Sequence, residues 1–198
     1  MEYLINTIMD KITEVTKEQL QLMIPIAPAS RIGIYYIPLV EAMKWADIST
    51  PLRIAAFIAQ VTHESGSLKY VEEISSGSAY ETRRDLGNLE QRALDAAHSN
   101  HSTTGRFYKG HGLIQVTGYY NHRDCGVTLG INLVSNPRLL CEPQYASLSA
   151  AWFWMTHKLN KLADTGDIKE ITRVINGGYN GLEDREANYT RCKQVLGV

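Results

Sequence analysis

Little in this 198-residue chain is in excess, and each shortage excludes something. Twenty Lys and Arg against 21 Asp and Glu leave a formal net charge of −1, and no stretch is strongly basic. Nucleic acids are bound through clustered cations, so no nucleic-acid partner is expected. The three cysteines, Cys125, Cys141 and Cys192, are odd in number and far apart. They make neither a disulfide framework nor a C-x-x-C metal or redox site. They read instead as small buried apolar residues of a protein kept in a reducing compartment. No run is long and apolar enough to span a bilayer, so stable membrane insertion is not expected. Residues 1–17 mix apolar side chains with Glu2, Asp10, Lys11 and Glu14. A secretory signal needs a basic head before an unbroken apolar centre, and neither is there.

What is present is organised around TPLRIAAFIAQVTHESGSLKYVEEI, residues 50–74. Thr50 is a candidate N-cap and Pro51 suits the first helical position, where its missing N–H costs nothing. The next residues are apolar nearly all round, the mark of a helix buried on every side. His63 and Glu64 follow in the same register, and Ser65-Gly66 stops the helix. An ionised group leaves water at a cost of several kcal/mol unless compensated. Glu64 is therefore either one half of a structural ion pair or a carboxyl on a rigid, partly dry mount, which is what a proton donor needs.

Glu72 and Glu73 lie eight and nine residues further on. On one continuous helix Glu64 and Glu73 would sit about 13 Å apart along the axis and on opposite faces. A break at Gly66 lets the chain double back and set the second carboxyl across a groove from the first. That is the arrangement of glycoside hydrolysis.

Helical patterning recurs over residues 16–24, 34–45, 144–158, 167–175 and 182–195, with Pro25, Pro28 and Pro38 punctuating connections. Residues 75–110 are polar, with one helical patch near 89–97, and read as a lobe of long loops beside the groove. Trp152 and Trp154 cannot share a helix face, so at least one can reach the groove, although core packing is the expectation for both. The fold class expected is mainly α, with at most a small β-hairpin near Leu113–Val116. The whole chain, 1–198, is expected to form one catalytic domain with the polar lobe inserted between core helices and no separate wall-binding domain.

Metal sites fare poorly. His63-Glu64 lacks the second His of H-E-x-x-H, because position 67 is Ser. His98, His101 and His111 have no carboxylate or Cys partners at ligand spacing and read as solvated loop residues. No metal and no cofactor is expected. In YKGHGLIQVTGYYNHR, residues 108–123, glycines permit close backbone approach. Gln115, Thr117, Tyr120 and Asn121 converge there, suited either to sugar hydroxyls and a water or to capping a turn.

Taken together, HESGS with a following Glu, GHGLIQVTGYYNH, AAWFW and INGGYNGLEDR resemble glycoside hydrolase family 19. That group holds plant-type chitinases and the bacteriophage endolysins that share their catalytic domain. The motifs match in order from about Lys17 to the C-terminus. The short chain, the missing signal and disulfide pattern, and the NGLEDR ending look like the endolysin type. The resemblance implies a two-lobed, lysozyme-like helical fold around a catalytic groove. It implies Glu64 as general acid, Glu73 as general base with Glu72 as the fallback, and Thr117 as the residue positioning the water. Substrate contacts fall on His63, Gln115, Tyr120, Asn121 and Asn176, and Arg185 is expected to hold a counter-charge beside Glu73.

The function so implied is hydrolysis of β-1,4 bonds in bacterial peptidoglycan by an inverting acid/base mechanism, for host lysis. The expected partner is the peptidoglycan glycan strand, and the protein is expected to be a monomer. It is expected to wait in the host cytoplasm until a separate membrane-permeabilising protein releases it to the wall. Three alternatives stand beside it: a chitinase acting on N-acetylglucosamine polymers, a catalytically inactive glycan-binding module, and a lytic transglycosylase.

Overall fold

The computed structural model describes residues 15–198, so the reading of the first 14 residues lies outside the described part. Helix α1 (Lys17–Met23) starts at a reciprocal cap: Thr16 Oγ1 accepts the Gln19 N–H at 3.1 Å, and Gln19 Oε1 accepts the Thr16 N–H at 2.9 Å. Two orphan donors are thereby satisfied. Helix α2 (Ala29–Trp45) is longer than its pattern suggested and runs through Pro38. Pro38 punctuates nothing. It withholds one backbone donor, but Tyr35, Leu39, Ala42 and Met43 bury one face of the helix around it, and packing outweighs a single lost ladder bond.

Helix α3 (Pro51–Glu64) is the buried rod expected, with Thr50 Oγ1 accepting the Arg53 N–H at 3.3 Å and every residue from Ile54 to Thr62 buried. At about 1.5–3 kcal/mol per fully buried large apolar side chain, this helix is a principal contributor to the core. The polar lobe that follows contains a 3₁₀ turn at Ser78–Tyr80, α4 (Gln91–Ser99) and α5 (Thr104–Phe107). The chain then forms α6 (Tyr119–Leu129), a 3₁₀ turn at Pro137–Cys141, α7 (Pro143–Thr156), α8 (Leu159–Asp164), α9 (Ile168–Asn176) and α10 (Leu182–Leu196).

Helix α10 packs along α3, and α2 packs along α7. One large apolar cluster fills the space between these pairs, while Ala93, Tyr108 and Tyr119 form a small second cluster under the polar lobe. The fold is mainly helical. Where a hairpin was expected, the described residues show isolated antiparallel bridges, Glu72 to His111 and His111 to Val116. No helix among the described residues is long and apolar enough to cross a membrane. The three cysteines are free, and burial pushes the thiols of Cys125 and Cys192 up to about 12.

Candidate active site

Glu64 is the last residue of α3, and the chain leaves it through an unusual bend. Gly66, Ser67 and Leu68 all sit in the left-handed region, with φ of 56°, 61° and 64°. For non-glycine residues that conformation costs about 1–2 kcal/mol each. It is held by the surroundings: Ser67 N–H donates to Thr62 O at 2.8 Å, Leu68 N–H to Ser65 Oγ at 2.8 Å, and Tyr70 N–H to Ser65 O at 2.8 Å. Leu68 is itself buried. This is the reversal that the sequence located at Gly66, tighter than one glycine alone makes it.

The Glu64 carboxyl is largely covered, with 18 % of the side chain exposed, and Arg185 Nη2 donates to its Oε1 at 2.6 Å. Arg185 is 1 % exposed and well supplied with acceptors. Nη1 donates to Gln60 Oε1, and Nε donates to the Asn180 carbonyl at 3.3 Å. Gln60 Nε2 in turn donates to Thr172 Oγ1 at 3.0 Å. Arg185 was expected beside Glu73; the structure places it on Glu64 instead. The reason is helix geometry: α10 lies against α3, and Gln60 and Glu64, four residues apart, occupy one face within reach of a single planar guanidinium.

His63 belongs to the same group. Its Nδ1 meets Asp184 Oδ2 at 2.6 Å, and Asn188 Nδ2 donates to the same oxygen at 3.1 Å. The His63 ring lies so close to the Gly181 backbone that an added Cβ would meet Cε1 at 2.2 Å. Gly181 also has φ +70°, so any other residue there is strained and must displace the His63 ring. Asn176, the final residue of α9, is exposed at the neighbouring turn.

Glu73 stands on a different mount. Its backbone N–H donates to Gly110 O at 2.8 Å, and the Gly110 N–H returns a bond to Glu73 Oε2 at 2.9 Å. Ser75 Oγ donates to Oε1, joined there by the Tyr80 hydroxyl at 3.1 Å. All three side-chain partners donate, which is the demand an acceptor-only carboxylate makes. The Tyr80 phenol pKa is raised by burial first and by the nearby Glu73 charge second. Glu72 points elsewhere, as successive residues of an extended stretch do. It pairs with Lys109 Nζ and Arg138 Nη2, each at 3.0 Å.

Gly110 opens the segment that carries the polar residues. Gln115 has φ +57°, and its Nε2 donates to Gly112 O at 3.0 Å. Thr117 Oγ1 donates to Gln115 O at 2.9 Å, which leaves the hydroxyl lone pairs for an incoming donor. Asn121 Nδ2 donates to Thr117 O at 2.8 Å. Gln115, Thr117 and Asn121 line a cavity of about 140 Å³ together with Trp152, Phe153 and Ile175. Both tryptophans are buried in the main apolar cluster, as expected: Trp152 also lines this cavity, while Trp154 packs edge-on against Phe57 at 5.4 Å and donates to Asn160. Tyr120 departs from expectation. Its hydroxyl donates to Glu90 Oε1 at 2.6 Å, and its ring packs on Gly87 rather than lining that cavity.

His111 also differs from its sequence reading. It is not a solvated loop residue but 1 % exposed, with Nδ1 at 3.1 Å from Nε2 of the fully buried His122. His122 Nδ1 lies 2.8 Å from Gly118 O, a carbonyl that can only accept, so Nδ1 carries the proton and Nε2 takes one from His111. Burial pushes His111 down to about 4 and His122 down to about 3. In the unfolded chain both protonate near their ordinary pKa of about 6.5. Below that pH the unfolded state binds more protons, so stability is complete above pH 6.5 and is lost as pH falls toward 4. Each histidine contributes a slope of up to about 1.4 kcal/mol per pH unit. Urea unfolding at pH 7 and pH 5.5 should show this loss, and His122→Gln should flatten it; an unchanged slope in the variant rules the pair out as its source.

The residues of the candidate site not anticipated are Gln60, Ser75, Tyr80 and Asp184, which hold Arg185, Glu73 and His63. Gln60 stands one helical turn before Glu64, and a buried amide at that spacing is a signal legible in sequence. Ser75 lies in a loop and Tyr80 in the short 3₁₀ turn after it, and their contacts with the Glu73 carboxylate appear only when this segment folds back.

Mainly helical and carrying two carboxylates on separate rigid mounts, the molecule falls in the class of lysozyme-like helical folds. Residues 44–187 match the model of chitinase class I, glycoside hydrolase family 19, and the chain belongs to that family. It is 33 % identical over 162 residues to a basic endochitinase of Brassica napus, covering 78 % of this chain and 56 % of the relative. An endochitinase of Arabidopsis thaliana is 36 % identical over 152 residues, with 73 % of this chain and 48 % of the relative covered. The chain thus spans about half the length of these curated relatives. Among solved structures, chitinase C from Streptomyces griseus superposes with a TM-score of 0.71 at 25 % identity, covering 93 % of this chain and 77 % of the other.

Proposed function

We propose that the protein is an inverting glycoside hydrolase that cuts β-1,4 bonds of the bacterial peptidoglycan strand, an endolysin acting in host lysis. The observation that carries the chemistry is the unequal treatment of the two carboxyls. Glu64 has one oxygen fixed by Arg185, and Oε2 accepts no hydrogen bond among the described residues. Glu73 has three donors on its two oxygens. Glu64 Oε2 is the site from which a proton passes to the glycosidic oxygen. Glu73 takes a proton from a water on the other face of the ring, a water that Thr117 helps to hold. Inversion requires the two carboxyls about 6.5–9.5 Å apart to admit that water.

The peptidoglycan reading rests on the endolysin-like motif set. Free thiols in place of disulfides accord with a protein that stays in the host cytoplasm until a separate permeabilising protein opens the way to the wall. A chitinase is the second reading, favoured by the endochitinase names of its relatives. Purified peptidoglycan and chitin oligomers offered in parallel separate the two. Release of free reducing ends from peptidoglycan alone is the expected result, whereas turnover confined to chitin oligomers overturns the endolysin assignment. Products ending in a 1,6-anhydro sugar overturn hydrolysis itself.

A further inference from the structure

Behind Glu73, on the face to which Glu72 turns, lies a cavity of about 350 Å³ that the chemistry above does not use. Three cations from three parts of the chain line it: Arg106 from α5, Lys109 from the loop before Gly110, and Arg138 from the second 3₁₀ turn. Glu72 is the carboxylate among the lining residues. Three positive charges and one negative leave +2, on a chain whose formal net charge is −1.

The ion pairs do not exhaust these cations. Lys109 Nζ is held between Glu72 Oε1 at 3.0 Å and the Glu73 carbonyl at 2.9 Å. It is aimed, not free to swing. Arg138 is tethered to Glu72 by one nitrogen, with 70 % of its side chain exposed. Arg106 has no ion-pair partner among the described residues, and its neighbour Ser102 adds a hydroxyl to the cavity wall. His111 lines the same cavity, and the charges of Lys109 and Arg138 add to burial, the larger cause, in holding its pKa down. A positive potential in a half-enclosed cavity concentrates anions, and a guanidinium with free N–H groups binds oxyanions bidentately.

We propose that this cavity is a binding site for an oxyanion, a phosphate or carboxylate group carried by the wall polymer, separate from the sugar-cutting residues. Arg106 and Arg138 grip the anion, Lys109 supplies a fixed charge at the back, and Glu72 competes for the same cations. The shared chemistry has two sources, the phosphodiesters of an anionic wall polymer and the carboxylates of the peptide stem. That the ligand belongs to the wall rests on the peptidoglycan reading; the existence of the anion site does not.

Binding, not hydrolysis, is the test. Inorganic phosphate titrated into the full chain at low ionic strength, followed by calorimetry, should bind saturably. R106Q/R138Q should weaken it at least tenfold. Glu72→Gln should tighten it several-fold, because it removes the internal competitor, whereas a purely structural ion-pair network predicts no gain. Poly(glycerol phosphate) and the dipeptide L-Ala-D-Glu are then compared on the wild-type chain. Binding of either that is lost in R106Q/R138Q supports the site and identifies its source. Phosphate binding that is absent, or equal in wild type and R106Q/R138Q, overturns the site whatever the enzyme cuts. A site that binds phosphate but neither wall probe overturns the wall ligand.

Discussion

Glu64→Gln should lower the rate of glycan cleavage by a factor of about 10²–10⁴, the usual worth of a general acid. The amide keeps the shape and can still accept from Arg185 through its oxygen, but Oε2 becomes a nitrogen with no acidic proton to transfer. Glu73→Gln should cost as much for a different reason, and the two losses can be told apart. An aryl glycoside with a good leaving group needs little protonation, so it should restore much of the Glu64→Gln loss and little of the Glu73→Gln loss. Initial rates on both substrates, with circular dichroism to verify folding, give the answer. A Glu64→Gln enzyme that cleaves the natural strand at the wild-type rate removes Glu64 from the chemistry.

The second large effect belongs to Arg185. Arg185→Met should destabilise the fold by about 3–5 kcal/mol, the range for breaking a buried ion pair on one side. The methionine fills similar volume, so the loss comes from Glu64 and Gln60, both left without their guanidinium. Urea unfolding of Arg185→Met, Glu64→Gln and the double variant should therefore be strongly non-additive, because each single change abolishes the same ion pair, even though the amide at 64 still accepts a hydrogen bond from Arg185. A loss below about 1 kcal/mol in Arg185→Met means that the arginine is a bystander.

Helix α3 was legible because all of its signals agree: cap, proline, apolar run and glycine stop point to one element between Thr50 and Gly66. The same holds for α9, where Asp167 Oδ1 caps the Glu170 N–H at 2.9 Å as its position suggests. Pro38 misled because propensity is a local cost, and the packing of Tyr35, Leu39 and Met43 against the core is not visible locally. His111 misled in the opposite sense. Flanking glycines and polar neighbours read as a loop, yet the ring is buried by a partner eleven residues away. Arg185 was recognised as part of the site, but its partner was not. Which of two carboxylates an arginine meets depends on how α10 lies on α3, a tertiary fact with no trace in residues 182–196 taken alone. Side-chain identities carried the candidate chemistry; pairings across distant elements had to come from the fold.

The extended stretch at Glu72–Glu73 makes the protein asymmetric toward length changes in the preceding loop. Slipping that stretch by one residue exchanges the faces its side chains point to. Inserting a residue between Leu68 and Glu72 would bring the former Glu72 into the place now held by Glu73, so a carboxylate would still face Tyr80 and Gly110. Deleting one would bring Ile74 there instead. The glutamate doublet thus tolerates a longer loop and forbids a shorter one.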